Sequence, residues 1–311
     1  MKTQSVIDLP PPPPGKSGWP WGPVQAQEPP KALEGRTLPR ITVVTPSYNQ
    51  GEFLEETIRS VLLQGYPNLE YIIIDGGSTD ASLDIIRKYE SWISFWSSER
   101  DRGQSHAINK GFRLAKGDLL AWINSDDLYA PLAFWKIAQA SLESPWAVLI
   151  YGAGRKVDTT GNLLKQIPFR PYDPKLLRTR YYILQQASFF RRSALIRAGF
   201  LDENLQYAMD WDLAIRMSQL GSFLATPEEI GIFRVYPRAK TQTGGWERKR
   251  EIAEIGRKYN GITDPNFLTF WPLFWSYYMS TKTKAKMFSR LGKWLTRQFD
   301  KLYGAETYMM R

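Results

Sequence analysis

Three times between residues 41 and 124 a short apolar run leads through a polar turn into an amphipathic helix, and a fourth apolar run closes the series. Ile41-Thr-Val-Val-Thr45 is the first run, Leu69 to Ile74 the second, Phe95 to Ser97 the third and Leu119 to Ile123 the fourth. β-branched runs this short, bounded by turn residues, read as buried strands. The intervening segments, Glu52 to Gln64, Asp80 to Tyr89 and Gln104 to Ala115, carry apolar residues at helical spacing, as Phe53, Leu54, Ile58, Val61 and Leu62 do. Asp80 is placed to cap the second helix, and Gly65 with Pro67 ends the first. Strands alternating with helices predict an α/β fold, a mainly parallel sheet flanked by helices.

In such sheets ligands bind beyond the carboxyl ends of the strands. The polar clusters after the first, second and fourth runs all fall at that edge, so one cleft is expected to collect Tyr48, Asp75, Asp126 and Asp127. Residues 150–240 read as mixed, with strand-like Val148 to Tyr151, Ala187 to Phe190 and Ile230 to Tyr236 and a helix over Trp211 to Leu220.

Each cluster allows a particular chemistry. Asn124-Ser-Asp-Asp127 sets two like charges side by side at a strand end, which is unfavourable unless a divalent cation lies between them and a diphosphate. The alternative is a helix cap ahead of Pro131. Asp75, followed by Gly76 and Gly77, has a backbone that permits close ligand approach, and its carboxylate suits a base N–H. Tyr48, in Pro46-Ser-Tyr-Asn-Gln50, offers a stacking face for a base or a lid over the core. Arg102 and Gln104 precede a helix and suit phosphate or sugar oxygens. Asp210, in Met209-Asp-Trp-Asp-Leu213, is either a helix cap or a base for an acceptor hydroxyl. Arg234 to Lys240 gathers cations suited to a diphosphate, or forms a solvated basic loop.

Composition removes other classes. There is no Cys, which excludes disulfides, Cys-ligated zinc and thiol catalysis. The turn after the first strand reads Pro46-Ser-Tyr-Asn-Gln-Gly51 in place of a dinucleotide fingerprint, and no Walker-type loop occurs. A Ser-His-Asp hydrolase would have to use His106, the single His, and lacks its nucleophile elbow. A net charge of +10 favours anionic partners, but the basic residues match no nucleic-acid module, so no nucleic-acid partner is expected. A non-catalytic sugar-nucleotide or anionic-surface module stays open as the alternative to an enzyme.

The order of the clusters is more telling than any one of them. Thr45-Pro-Ser-Tyr-Asn49, Ile74-Asp-Gly-Gly-Ser-Thr-Asp80, Gly103-Gln-Ser-His-Ala-Ile-Asn-Lys-Gly111, Asn124-Ser-Asp-Asp127 and Met209-Asp-Trp-Asp-Leu213 together resemble bacterial glycosyltransferase family 2, over about residues 40–240. The resemblance implies a GT-A, Rossmann-like fold and transfer, with inversion, from a UDP- or GDP-type nucleotide sugar to a hydroxyl acceptor, carbohydrate or lipid-linked, in cell-surface polysaccharide or glycolipid synthesis. It implies Mn²⁺ or Mg²⁺ at Asp127, the expected direct ligand, with Asp126 nearer the ribose or sugar. Pro46, Tyr48, Asn49, Asp75, Arg102, Gln104, Asp126, Arg234 and Lys240 then fall to nucleotide-sugar binding, and Asp210 to the catalytic base. The chain departs from the family pattern at Met209, where Glu is frequent, which keeps Asp212 as a rival base, and at Tyr236, where His is frequent.

Outside the core, residues 1–39 carry a proline run, Pro10 to Pro14, and Trp19-Pro-Trp21. They read as an extended, flexible leader, or as an arm whose two Trp pack on the body. No secretory signal is expected in Met1 to Leu9, and no run of apolar residues is long enough to span a membrane. Residues 241–311 read as a helical, basic and aromatic extension. Its last part, from Thr281, puts Lys286, Arg290, Lys293 and Arg297 against Phe288, Leu291, Trp294 and Leu295. Such a helix either packs back on the domain or lies on an anionic membrane. The expected location is cytoplasmic, at the inner face of the membrane if the latter holds.

Overall fold

The computed structural model describes residues 9–22 and 30–260. Its strands are β1 (Ile41–Ser47), β2 (Leu69–Asp75), β3 (Phe95–Ser98), β4 (Leu119–Trp122), β5 (Leu128–Tyr129), β6 (Leu149–Val157), β7 (Leu163–Ile167), β8 (Ser188–Arg191) and β9 (Phe223–Arg234). Its helices are α1 (Leu54–Leu62), α2 (Ser82–Lys88), α3 (Gln104–Leu114), α4 (Ala133–Glu143), α5 (Pro174–Thr179), α6 (Arg192–Ala198), α7 (Met209–Ser218), α8 (Lys240–Thr243) and α9 (Gly245–Asn260).

The strands form one sheet in the order β3-β2-β1-β4-β8-β6-β9-β5, with β7 added on β6. β3, β2, β1 and β4 run parallel, in register from Ile41 beside Leu69 and Leu119. β8 reverses direction against β4 and β6, while β6 and β9 are parallel to each other. The α/β expectation holds, with a mixed second half.

Alternation along each strand explains the two covered faces. Ile41, Val43, Tyr71 and Ile73 point into a core shared with Leu54, Ile58 and Val61 of α1 and Phe134 and Ile137 of α4. Val44, Ile72 and Ile74 point into the opposite core with Ile108 and Phe112 of α3 and Leu213 and Met217 of α7. α3 lies so close to β1 that a Cβ on Gly111 would come within 2.4 Å of Val44 Cγ1.

Residues 9–22 form no regular helix or strand, and they are bound to the body rather than loose. Trp19 Nε1 donates to the Tyr129 carbonyl (2.8 Å) and Trp21 Nε1 to Glu56 Oε1 (3.0 Å). Arg59 of α1 donates to the carbonyls of Pro20 (3.1 Å) and Pro10 (2.7 Å), and its guanidinium lies 5.0 Å from the Trp21 ring centre. Leu9 joins the first core.

Beyond residue 240, α9 packs on the body. Lys258 and Tyr259 bond Asp212 of α7 at 2.9 and 2.7 Å. The basic amphipathic segment from Thr281 lies outside the described residues. Among those described, no helix is long and apolar enough to cross a membrane.

Candidate active site

A cleft of about 830 Å³ opens at the carboxyl edge of β1, β2 and β4, the edge that the polar clusters mark. It has the size of a small-molecule site. Pro46, Tyr48, Gln104, Asp126, Asp127, Asp210 and Lys240 all line it, so residues from across some 190 positions of sequence meet in one space.

Asp126 and Asp127 follow β4. Asp127 is 1% exposed, and both of its oxygens are engaged. Oδ1 accepts from the Arg234 backbone N–H (3.0 Å), and Oδ2 accepts from Gln186 Nε2 (2.7 Å) and Asn124 Nδ2 (3.2 Å). Burial and the neighbouring Asp126 charge push its pKa up to about 8. Asp126 is half-buried and its Oδ2 accepts from Tyr236 Oη at 2.8 Å. Burial also raises the Asp126 pKa, against the lowering effect of that hydroxyl. Two hard-oxygen carboxylates that resist ionising together fit a divalent cation shared with phosphate. Asp126 has the freer carboxylate, whereas Asp127, the ligand expected to bind directly, has both oxygens hydrogen-bonded. Among the described residues no cluster of three or more His, Cys, Asp or Glu has metal-binding geometry.

A row of hydrogen bonds crosses the cleft. Lys240 Nζ donates to Gln104 Oε1 (2.9 Å), Gln104 Nε2 to Asn124 Oδ1 (2.6 Å), and Asn124 to Asp127. Asp210 stands in the first turn of α7, half-buried, accepting from the Trp211 N–H at 2.8 Å. Burial raises its pKa to about 6, with that N–H pulling the other way. α7 is fixed from outside: the Glu251 carboxylate of α9 accepts from the backbone N–H groups of Gln206 and Tyr207 (2.6 Å each) and Ala208 (3.0 Å), just before the helix.

Several residues singled out in the sequence lie elsewhere. Asp212 is wholly buried on the far side of α7, held by Lys258, Tyr259 and Arg216, and does not line the cleft. Burial alone would raise its pKa, but those partners hold it low. Asp75 is also wholly buried. Its oxygens are taken by the N–H groups of Gly77 and Ser78 and the hydroxyls of Ser78 and Ser98. It shapes the turn after β2 and does not face the cleft.

Asn49 adopts φ of 51° and accepts from Thr79 N–H, locking the turns after β1 and β2 together. Arg102 pairs with Glu203 at 2.6 Å, and it too stays outside. Arg234 is 2% exposed and supports the acidic pair from behind. It donates to the Asp126 carbonyl (2.9 Å) and to Glu56 Oε2 (2.5 Å), and stacks over Phe53 at 4.5 Å. Among the other residues that line the cleft are Ser47, Asp101, Gln186 and Arg248, to which the sequence gave no role. Asp101 comes close because Gly76 has no side chain; a Cβ there would lie 2.8 Å from Asp101 Oδ2.

The fold and cleft define an α/β protein with a ligand site at the strand ends, an acidic pair at its floor and a third carboxylate apart from that pair. The sequence profile of glycosyltransferase family 2 matches residues 42–204, and the chain belongs to that family. The O-antigen biosynthesis protein RfbC of Myxococcus xanthus is 31% identical over 228 residues, 68% of this chain but only 18% of RfbC. A glycosyltransferase of Rickettsia typhi, RT0329, is 27% identical over 66% of this chain and 67% of its own length. Solved structures show the same GT-A fold. Staphylococcus aureus TarS residues 1–349 with UDP-GlcNAc align at a TM-score of 0.57 and 16% identity, over 70% of this chain and 65% of TarS. The mannosyltransferase PcManGT of Pyrobaculum calidifontis, in complex with GDP-Man and Mn²⁺, aligns at 0.56 and 21%, over 74% and 67%.

Proposed function

We propose that the chain is an inverting, metal-dependent glycosyltransferase that moves a sugar from a UDP- or GDP-type donor to a hydroxyl of a carbohydrate or lipid-linked acceptor, in cell-surface polysaccharide synthesis. The observation that carries this reading is the meeting of Asp126, Asp127 and Asp210 in one cleft with Gln104 and Lys240. Relatives of the family act in O-antigen biosynthesis and as a chondroitin synthase, by their names.

Asp126, with Asp127 behind it, would hold Mn²⁺ or Mg²⁺, which supplies charge neutralisation to a departing nucleoside diphosphate. Lys240 and Gln104 suit the phosphate oxygens, and Pro46, Tyr48 and Asp101 suit the base. Tyr48 is 63% exposed, free to cover a planar ring. Asp210 takes the proton from the acceptor hydroxyl as that oxygen attacks the anomeric carbon. A base with a pKa near 6 is ionised at neutral pH yet still basic enough to help. One base suffices for direct displacement with inversion. The basic, aromatic segment from Thr281 is our candidate for contact with an anionic membrane surface. Flotation with anionic liposomes, lost on removing residues 281–311, checks that part.

A thermal-shift screen of nucleoside diphosphates and their sugars, with and without Mn²⁺, tests the donor reading. One nucleotide family should raise Tm only when Mn²⁺ is present. A chain that ignores every nucleotide contradicts the proposal.

A further inference from the structure

Gln186 lies in the turn Gln185–Ala187 that leads into β8, is 4% exposed, and lines the cleft. Its Nε2 donates to Asp127 Oδ2 at 2.7 Å. With a cation at the acidic pair Asp127 is ionised and only accepts, so the amide cannot be turned over: Nε2 must face Asp127 and Oε1 must face away from it. Among the described residues, no donor meets that buried Oε1.

The atom is held in place. Gln185 Nε2 donates to the Trp122 carbonyl at 2.8 Å, tying the turn to β4. On the other side Gly231 of β9 sits so close that a Cβ there would come within 2.8 Å of the Gln186 backbone carbon. The fixed geometry of an amide puts Oε1 within about 5 Å of Asp127 Oδ2.

An oxygen that only accepts needs a hydrogen-bond donor or a cation. Diphosphate oxygens bring neither; a sugar hydroxyl brings a donor. We propose that Gln186 Oε1 accepts a hydrogen bond from a ring hydroxyl of the transferred sugar, so that this residue selects the donor by its sugar rather than by its nucleotide. The inference rests on the nucleotide-sugar reading above. A site built around a buried acceptor discriminates strongly against an analogue lacking the matching hydroxyl.

The test is calorimetric titration of the full chain in Mn²⁺ with UDP, GDP, UDP-glucose, UDP-N-acetylglucosamine and GDP-mannose, for the wild type and Gln186→Leu. The readout is the affinity of the best sugar nucleotide relative to its own nucleoside diphosphate. The loss of the Nε2 bond to Asp127 affects both ligands and cancels in that ratio, and retained diphosphate binding shows that the variant is folded. The ratio should fall about tenfold in Gln186→Leu, the scale of one hydrogen bond. Monodeoxy forms of that donor give a second measurement: one of them should bind wild type about tenfold more weakly, and its affinity relative to the diphosphate should not change on substitution. An unchanged ratio for the intact donor, or a ratio to the diphosphate that still falls on substitution for every deoxy donor, overturns the proposal. Equal weakening of diphosphate and sugar nucleotide is such an unchanged ratio, and would leave Gln186 acting on the nucleoside diphosphate end of the donor. If no nucleotide binds the wild type, the donor reading itself has failed.

Discussion

Asp210 and Asp212 sit two positions apart in one helix, and only their surroundings separate a base from a brace. Asp210 faces the cleft with one backbone hydrogen bond, whereas Asp212 is spent on Lys258, Tyr259 and Arg216. Asp210→Asn should therefore lower kcat by ~10²–10⁴-fold with little change in donor KM, by steady-state kinetics. In the wild type, protonation of Asp210 removes the base, so activity should fall as pH drops through about 6, and this limb should vanish in Asp210→Asn. The acidic motif and Tyr48 were legible in the sequence because polar residues just after strands fall at the cleft edge, and Gln104 and Lys240 as polar residues that open helices there. Asp75 shows where that reasoning stops. A carboxylate after a strand can turn back into its own glycine-serine turn, and the choice depends on hydroxyls such as Ser98, which lies 23 residues away. Gln186 gave no signal at all, since an amide beside a strand looks like any polar residue until Asp127 arrives to orient it.

At the scale of elements, the parallel half read well because strand and helix periods alternate cleanly there. α4, the second half of β6 and β7 did not, although Val148 to Tyr151 marked where β6 begins. α4 is buried on Phe134, Trp135, Ile137 and Ala138 but lacks a side-chain cap, and β7 is largely exposed, so neither shows a strong boundary or period. Of the two readings of the N-terminal arm, flexible leader or Trp-anchored arm, the second describes residues 9–22: Trp21 clasps Glu56 and Arg59, and Glu56 in turn holds Arg234 behind the acidic pair. Trp21→Ala should cost about 2–4 kcal/mol in urea unfolding, near the range for removing a packed Trp. α9 has a comparable part on the other side. Glu251→Gln places an amide against three N–H groups that need acceptors. It should cost about 1–3 kcal/mol, and hydrogen exchange should quicken at residues 206–208.

The molecule as a whole joins a preformed fold to a charged centre that is unfavourable by itself. Folding lifts the Asp127 pKa to about 8 from the ordinary carboxylate value, so the native state keeps a proton that the unfolded chain gives up. This group's contribution to stability is full below about pH 4 and is lost as pH rises through about 8. A cation competes with that proton, so Mn²⁺ should raise Tm more at pH 8.5 than at pH 6. The most direct test of the account is a crystal structure of the full chain with Mn²⁺ and the nucleoside diphosphate that shifts Tm. The anomalous peak should lie about 2–2.3 Å from an Asp126 oxygen and touch both phosphates, with Asp210 across the cleft from the leaving group. A diphosphate bound away from Asp126, or a metal peak elsewhere, would contradict it.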